Sequence, residues 1–446
     1  MAPSTHAHPT RTHGRPTPRR DAQEAYYIPA SSYDGASEKG SRRAAERGGS
    51  KLPLVVALVV MVLIAAGGAY VWLTRPVSLT LDGQQVEARP GTTLSALMAD
   101  NGVSVKAGNF VSVGGTVLEE GGGRPLNATV NGAELTDEQA GAYRVAKGDE
   151  VTVTDGDDVI EQYTAETATQ QPALTMDGVE GPLAYVAQWG QVGEVETRTG
   201  SVSGETAQVT TKEKKDCVIK LHYPKPDGGE KLVALTFDDG PSQYTQAYLD
   251  ILKRYDAKAT FFELGQNVQG LPNVAKAVVD DGHQVACHSH THPLLTKLDA
   301  AGVQGELSQG FEAIKNATGV ETTVLRPPYG EFKESTWLRS NGLLSLSVHW
   351  TQDSEDWRRP GVDAIVSKAT AGVVPGSIIL MHDGGGPREQ DLEALPKIIE
   401  ALQARGYKFV TLNELMQSDG SIPQDIKSGN ARPPADTVWP TELGDA

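Results

Sequence analysis

Cysteine is scarce in this sequence, which has only Cys217 and Cys287 in 446 residues. Two thiols are too few for a scaffold held by several disulfides or for a zinc site built from cysteines. A metal in this protein would therefore need histidine and carboxylate ligands. The length is typical of two or three domains, each large enough to bury its own core.

Basic residues are also scarce relative to acidic ones, with 40 Lys and Arg against 57 Asp and Glu. The first 51 residues run against this trend, because they carry nine Lys or Arg and five Asp or Glu. The excess of acid therefore falls on the rest of the chain, where no basic stripe is visible. Such a surface repels polyanions, so we expect no nucleic-acid partner.

Charged residues are absent from 52–74, an apolar segment that meets the roughly 20 residues a transmembrane helix needs. The alternatives are a buried core helix, which would carry a polar face, and a signal peptide, whose apolar stretch is shorter. Basic residues cluster before this segment (Lys39, Arg42, Arg43, Arg47 and Lys51) and are sparser after it (Arg75 and Arg89). The positive-inside rule predicts a single-pass protein of the cell membrane, with residues 1–51 a disordered cytoplasmic tail and the remainder extracytoplasmic.

Two extracytoplasmic regions follow with different patterns. Residues 76–220 contain short alternating runs, such as 77–81 and 150–154, separated by glycine-containing turns. They predict a β-rich stalk or wall-contacting region, within which the segment 82–155 is loosely similar in composition to small β-grasp-like modules.

From residue 231 to 416, apolar runs alternate with segments of helical periodicity. The runs lie at 232–237, 259–264, 283–287, 322–325, 343–348, 377–381 and 407–410. Seven β–α units predict an α/β fold with a mainly parallel sheet, either open or closed into a barrel, and its site lies where the strands end. Residues 417–446 are predicted to be a polar C-terminal tail.

Chemically active residues follow five of these seven strands. They are Asp238 and Asp239 after the first strand, His288 to His292 after the third, Arg326 after the fourth, Asp353 to Trp357 after the fifth, and His382 and Asp383 at the end of the sixth. Because parallel strands end at one edge, we expect these side chains to meet there.

Two histidines four residues apart and one carboxylate can form a metal site that leaves positions open for water. His288 and His292 supply the pair. Asp238 and Asp239 are adjacent and cannot readily face one ion, so we expect one to bind metal and the other to take a proton from the attacking water.

The other strand-end residues have complementary interpretations. His382 could protonate the leaving group, with Asp356 orienting it and keeping it protonated. Arg326 could hold a carboxylate by a bidentate pair, although an ordinary structural ion pair is the alternative. Trp357 and Leu380 could wall a pocket for a small apolar group or be core residues, and Asp356 could instead be a solvated loop acid.

At these residues the sequence resembles the polysaccharide deacetylase family with the NodB homology domain, carbohydrate esterase family 4. Five family motifs occur in order: TFDDG at 236–240, HSHTH at 288–292, RPPYG at 326–330, DSEDW at 353–357 and LMHD at 380–383. The resemblance implies an irregular barrel of seven β/α units and a divalent metal, usually zinc, with cobalt or manganese able to substitute. One departure is Cys287, which stands where the family commonly has asparagine.

The resemblance also implies a role for each matching residue. It makes Asp239, His288 and His292 the metal ligands, Asp238 the base and His382 the acid. It implies that Arg326 positions the base, Asp356 tunes the acid, Tyr329 donates its backbone N–H to the oxyanion, Ser289 braces the metal loop, and Trp357 and Leu380 receive the acetyl methyl.

The function expected from the sequence is that of a membrane-anchored, metal-dependent N-deacetylase of N-acetylated cell-surface polysaccharide, with peptidoglycan as the preferred substrate. The alternatives are an O-acetyl esterase acting on xylan-like polymers and a catalytically inactive wall-binding protein. A disulfide between Cys217 and Cys287 is one expectation for an exported chain, and two buried free thiols are the other.

Overall fold

The computed structural model of this protein describes residues 52–444, so the predicted cytoplasmic tail at 1–51 lies outside the described residues. The chain divides into one unit that ends at Arg75 and another that begins at Pro76. In the first unit the structure describes one helix, α1 (Leu52–Leu73). Its residues Val55–Leu73 have a mean hydropathy of 2.4 and are long and apolar enough to cross a membrane.

The first part of the second unit consists of short strands and two short helices. In chain order these are β1 (Val77–Leu81), β2 (Gln84–Ala88), α2 (Leu94–Asp100), β3 (Phe110–Val111), β4 (Val117–Glu119), β5 (Asn127–Val130), β6 (Ala133–Glu134), α3 (Asp137–Ala142), β7 (Glu150–Thr154) and β8 (Val159–Ile160). The predicted alternating runs form β1 and β7, which pair in parallel and bury Leu79, Leu81, Val151 and Val153 in a small core. The five-stranded sheet has the order β2-β1-β7-β5-β6.

The next six strands divide between two sheets. They are β9 (Tyr163–Gln170), β10 (Leu174–Asp177), β11 (Leu183–Gln188), β12 (Gly193–Gly200), β13 (Thr206–Lys212) and β14 (Cys217–His222). β9, β12 and β13 form an antiparallel ribbon whose two outer strands are largely exposed, whereas β10, β11 and β14 enter the large sheet described next.

The rest of the unit alternates strands and helices, as the periodicity predicts. The strands are β15 (Leu232–Gly240), β16 (Thr260–Glu263), β17 (Gln284–Cys287), β18 (Val324–Leu325), β19 (Leu346–Val348), β20 (Gln352–Asp353), β21 (Ile378–His382) and β22 (Lys408–Val410). The helices are α4 (Thr245–Arg254), α5 (Gly265–Gly270), α6 (Pro272–Asp280), α7 (Ala300–Thr318), α8 (Glu334–Arg339), α9 (Val362–Thr370), α10 (Glu389–Ala404), α11 (Leu412–Gln417) and α12 (Gln424–Lys427).

These strands form one sheet in the order β10-β14-β11-β19-β18-β17-β16-β15-β21-β20, with β22 also paired to β15. All pairings from β19 to β20 are parallel, so all seven predicted strands are confirmed and the short β20 is an addition. Among the described residues, no ladder joins β19 to β20. The predicted closure into a barrel is therefore not confirmed.

The two faces of the parallel strands are covered by different groups. Phe237 and Phe261 point to the side covered by α4 and α10, where they pack with Tyr248. Phe262 points to the opposite side, where its ring lies 4.1 Å from the guanidinium carbon of Arg326. Strands buried on both faces read as continuous apolar runs, which explains the pattern seen in the sequence.

The large sheet does not begin at residue 231, where the sequence pattern changes. β11 pairs antiparallel with β19, and β14 and β10 extend the sheet beyond it. At its edge, Leu443 forms a parallel bridge with Leu174, and the Leu174 N–H donates to the Glu442 carbonyl at 2.9 Å. The segments on both sides of the predicted catalytic domain therefore contribute to its sheet.

Both cysteines are buried and free. Cys217 and Cys287 belong to the same apolar core, and the Cys287 sulfur lies 2.6 Å from the place a Cβ on Gly310 would occupy. The disulfide expected as one alternative is absent, and both thiols act as small packing residues.

Candidate metal centre and active site

The five strand ends meet as expected at one edge of the sheet. They surround a pocket of about 470 Å³. It is lined by Asp238, Asp239, His288, His292, Pro327, Tyr329, Gly330, Trp350, Asp353, Trp357, Leu380 and His382. Four lining residues had no predicted role: Pro327, Gly330 and Asp353 belong to the family motifs, and Trp350 lies outside them.

Asp239, His288 and His292 form a cluster suited to a metal ion. Their ligand atoms lie within 4.8 Å of one another. The Asp239 Oδ1 is 3.6 Å from the His288 Nε2 and 3.4 Å from the His292 Nε2. This oxygen is buried without a hydrogen-bond partner among the described residues, which a cation would satisfy.

The His288 ring is held as a ligand should be. Its Nδ1 lies 2.7 Å from the Arg326 carbonyl, so Nδ1 carries the hydrogen and the Nε2 lone pair faces Asp239. Burial lowers the pKa of His288 to about 3, so the ring is neutral. A neutral imidazole with a free Nε2 is the form that binds a divalent metal.

The backbone around the cluster is strained. Asp239, Ser289 and His292 have φ values of 70°, 71° and 66°, in the left-handed region that residues other than glycine avoid. Each such residue costs on the order of 1–3 kcal/mol and persists only where its surroundings hold it.

Two side chains hold the histidine loop. The Ser289 Oγ accepts the His292 N–H at 3.0 Å. Glu306 on α7 accepts the N–H groups of His290 and Thr291, both at 2.8 Å. Glu306 was missed by the sequence analysis, because an acid in the middle of a helix gives no signal of its partner. His290, between the two histidine ligands in sequence, is not part of the cluster.

Asp238 is held beside the cluster by Arg326. The Arg326 Nη1 donates to the Asp238 Oδ1 at 2.8 Å, and both side chains are buried. The expected bidentate pair is wrong, since Nη2 and Nε donate instead to the carbonyls of His349 and Val348. The other carboxylate oxygen, Oδ2, lies 3.8 Å from the His288 Nε2. Burial outweighs the opposing charges of Arg326 and His382 and raises the pKa of Asp238.

His382, on the strand paired with that of Asp238, lines the same pocket and is paired with Asp356. Its Nδ1 lies 2.7 Å from the Asp356 Oδ1, and its backbone N–H donates to Oδ2 at the same distance. Burial lowers the pKa of His382, but the buried Asp356 charge and hydrogen bond exceed that effect and raise it to about 9. Tyr248 on α4 donates its hydroxyl to the His382 carbonyl at 2.9 Å. The interpretation of Asp356 as a solvated acid is wrong, because it is fully buried.

The remaining predicted residues line the pocket with very different exposures. Leu380 is 3% exposed and Trp357 is 49% exposed, and both line the cavity. Tyr329 is 65% exposed, and its ring meets His292 edge-on at 4.6 Å between centroids. The backbone of Tyr329 is also left-handed, with φ 62°.

The polysaccharide deacetylase family model matches residues 225–343. A peptidoglycan-N-acetylglucosamine deacetylase of Bacillus cereus is 36% identical over 191 residues, which are 42% of this chain and 89% of that protein. The chain belongs to the polysaccharide deacetylase family. It is therefore a hydrolase of a metal-dependent family, and Asp239, His288 and His292 are positioned to hold such a metal.

Other relatives of this deacetylase match a similar share of the chain. A chitooligosaccharide deacetylase of Bradyrhizobium sp. is 38% identical over 200 residues, covering 42% of this chain and 91% of that protein. The solved structure of a family 4 carbohydrate esterase from Streptomyces lividans, in complex with acetate, is 35% identical, with a TM-score of 0.40 over 44% of this chain and 99% of that chain.

A second family model, that of a 2Fe-2S iron-sulfur cluster binding domain, matches residues 74–162. Such clusters are held by cysteine thiolates. Cys217 and Cys287 are the two cysteines of the chain, and both lie outside this segment. The residues present do not fit an iron-sulfur cluster, so the match supports no redox function here.

Proposed function

We propose that this chain is a membrane-anchored, metal-dependent N-deacetylase of peptidoglycan. The observation that carries the proposal is the arrangement of one pocket. A three-residue ligand cluster shares this pocket with a buried carboxylate held by Arg326 and a half-buried imidazole held by Asp356. That arrangement offers a proton acceptor and a proton donor in the same pocket as a metal site, as hydrolysis of an amide requires.

Asp239, His288 and His292 would hold the metal, and their nitrogen and oxygen donors suit zinc, with cobalt or manganese as substitutes. A bound divalent cation supplies Lewis acidity toward water and toward the acetamide carbonyl. Three protein ligands leave positions open for both. The unpaired, buried Asp239 Oδ1 supports this assignment.

Asp238 acts as the base in this proposal. Its Oδ1 is occupied by Arg326, so Oδ2 is the oxygen that faces His288 and can take a proton from the attacking water. A carboxylate whose pKa is raised by burial is a stronger proton acceptor than an exposed one. Arg326 fixes the position of Asp238 through a buried contact that leaves Oδ2 free.

His382 acts as the acid. Asp356 keeps the imidazolium protonated at neutral pH, and the proton on Nε2 is available to the nitrogen of the departing amine. The Tyr329 backbone N–H donates to the oxyanion formed on the carbonyl, and Trp357 and Leu380 enclose the acetyl methyl.

Peptidoglycan is the preferred polymer for two reasons. The relative from Bacillus cereus is a peptidoglycan-N-acetylglucosamine deacetylase. The apolar helix α1 precedes the catalytic sheet, and we propose that it spans the cell membrane with the sheet outside, close to the wall. The segment 76–170 lies between α1 and the large sheet in the chain and would add reach.

The test is acetate release from purified wall by the full-length protein in detergent. We expect acetate together with new free amino sugars, loss of both after chelation, and recovery when zinc is restored. The Asp238→Asn variant serves as the inactive control. Acetate with new free hydroxyl groups would indicate an esterase, and binding to the wall without acetate release would indicate an inactive wall-binding protein.

A further inference from the structure

The turn that presents the Tyr329 N–H is strained and closely packed. Tyr329 and Gly330 both have left-handed backbones, with φ 62° and 67°. A Cβ on Gly330 would lie 2.7 Å from the Trp350 ring, so only glycine fits that position. A turn of this kind keeps its geometry only when neighbouring groups hold it.

The His349 side chain makes a hydrogen bond to this turn. Its Nε2 lies 3.0 Å from the Gly330 carbonyl oxygen. Since a carbonyl only accepts, Nε2 carries the hydrogen and donates it. Burial lowers the pKa of His349, so the ring is neutral and Nδ1 carries no hydrogen. The contact is therefore a hydrogen bond of fixed direction from the ring to the turn.

The backbone of His349 is fixed from two sides. Its N–H donates to the Pro182 carbonyl at 2.6 Å, directly beside the pairing of Leu183 with Val348. Its carbonyl accepts the Arg326 Nη2 at 3.2 Å. One residue therefore connects the segment leading into β11, the guanidinium that holds Asp238, and the turn that carries the Tyr329 N–H.

We propose that His349 is a positioning residue for the reaction. It sets the direction of the Tyr329 N–H through Gly330, and β11, from the region before the predicted catalytic domain, sets the position of His349. This inference rests on the proposed function, which assigns the Tyr329 N–H to the oxyanion. It adds a residue outside the five sequence motifs to the support of the active site.

The test compares His349→Leu with His349→Gln in the full-length, metal-loaded protein. Leucine fills similar space but cannot donate, whereas the glutamine amide can reach the Gly330 carbonyl. We expect His349→Leu to lower kcat about ten-fold, with KM and bound metal unchanged, because a displaced oxyanion donor affects the transition state more than the bound substrate. His349→Gln should recover most of the loss.

His283→Leu is the matched control. His283 is buried, whereas His349 is half-buried, and it also makes one side-chain hydrogen bond to backbone, accepting the Ala259 N–H at 3.2 Å, but it does not line the pocket. It should lower thermal stability without changing kcat.

Wild-type kcat in His349→Leu, or equal losses in the leucine and glutamine variants, would overturn the inference. If His349→Leu does not fold, His349→Asn replaces it, because its shorter amide cannot reach the carbonyl. Failure of the wild-type protein to release acetate would instead refute the proposed function.

Discussion

Replacing Asp356 by asparagine should move the basic limb of the pH–rate profile. The Asp356 carboxylate raises the pKa of His382 from 6.5 to about 9. A rise of that size corresponds to about 3 kcal/mol of preference for the protonated ring. Without the charge, burial lowers the pKa of His382 against only the weaker effects of Asp238 and Asp239, so this pKa should fall to or below its ordinary value of 6.5. The protonated fraction at pH 7.5 should then fall about ten-fold.

The assay is kcat/KM for acetate release between about pH 5 and 10, with bound metal measured for each variant. The acid must be protonated, so activity is present below the pKa of His382 and is lost as the pH rises through it. We expect the wild-type activity to decline near pH 9 and the Asp356→Asn activity to decline at least two pH units lower.

Asp419→Asn is the matched control for this experiment. Asp419 is another buried acid paired with a histidine, His222, at 2.8 Å, and neither residue lines the pocket. Its loss should lower stability and leave the pH profile in place. A basic limb that stays near pH 9 in Asp356→Asn, with metal bound, would falsify the assignment of His382 as the acid.

Three further predictions concern the metal, the membrane and the thiols. His288→Ala or His292→Ala should lose bound zinc, whereas Asp238→Asn should keep it and lose most activity; metal analysis beside acetate release checks both, and an active Asp238→Asn enzyme would refute its role. Protease added to intact cells should remove residues beyond 76 and spare the N-terminal tail, and digestion of that tail would reverse the predicted topology. Thiol titration of denatured, unreduced protein should find two free thiols, since Cys217 and Cys287 are unpaired in the fold.

The strand positions and the residues that follow them could be predicted from the sequence. Buried parallel strands are continuous apolar runs, and chemically active residues at their ends are visible without a structure. The motif resemblance then separated Asp238 from Asp239, which residue chemistry alone had left open. The structure brings both to the pocket with Asp239 facing the histidines.

Other features depend on contacts between distant parts of the chain. Alternating runs at 174–177, 183–188 and 217–222 look the same whether they form a separate sheet or join a larger one, so their place beside β19 was missed. Glu306 and His349 have no local signal, because their partners lie 15 to 19 residues away on other loops. The single contact of Arg326 with Asp238 also depends on which backbone carbonyls surround the guanidinium.

The bridge between Leu443 and Leu174 limits how far the C-terminal end of this enzyme can be truncated without aggregation. β10 is an edge of the large sheet, and the last described residues cover its free backbone groups. Uncovered edge strands recruit other chains, which leads to aggregation. A form cut at 416, where the family resemblance ends, would lose this cover together with Trp439, which packs on the core. Recombinant versions should therefore keep the last thirty residues, and an affinity tag is better placed at the N-terminal side.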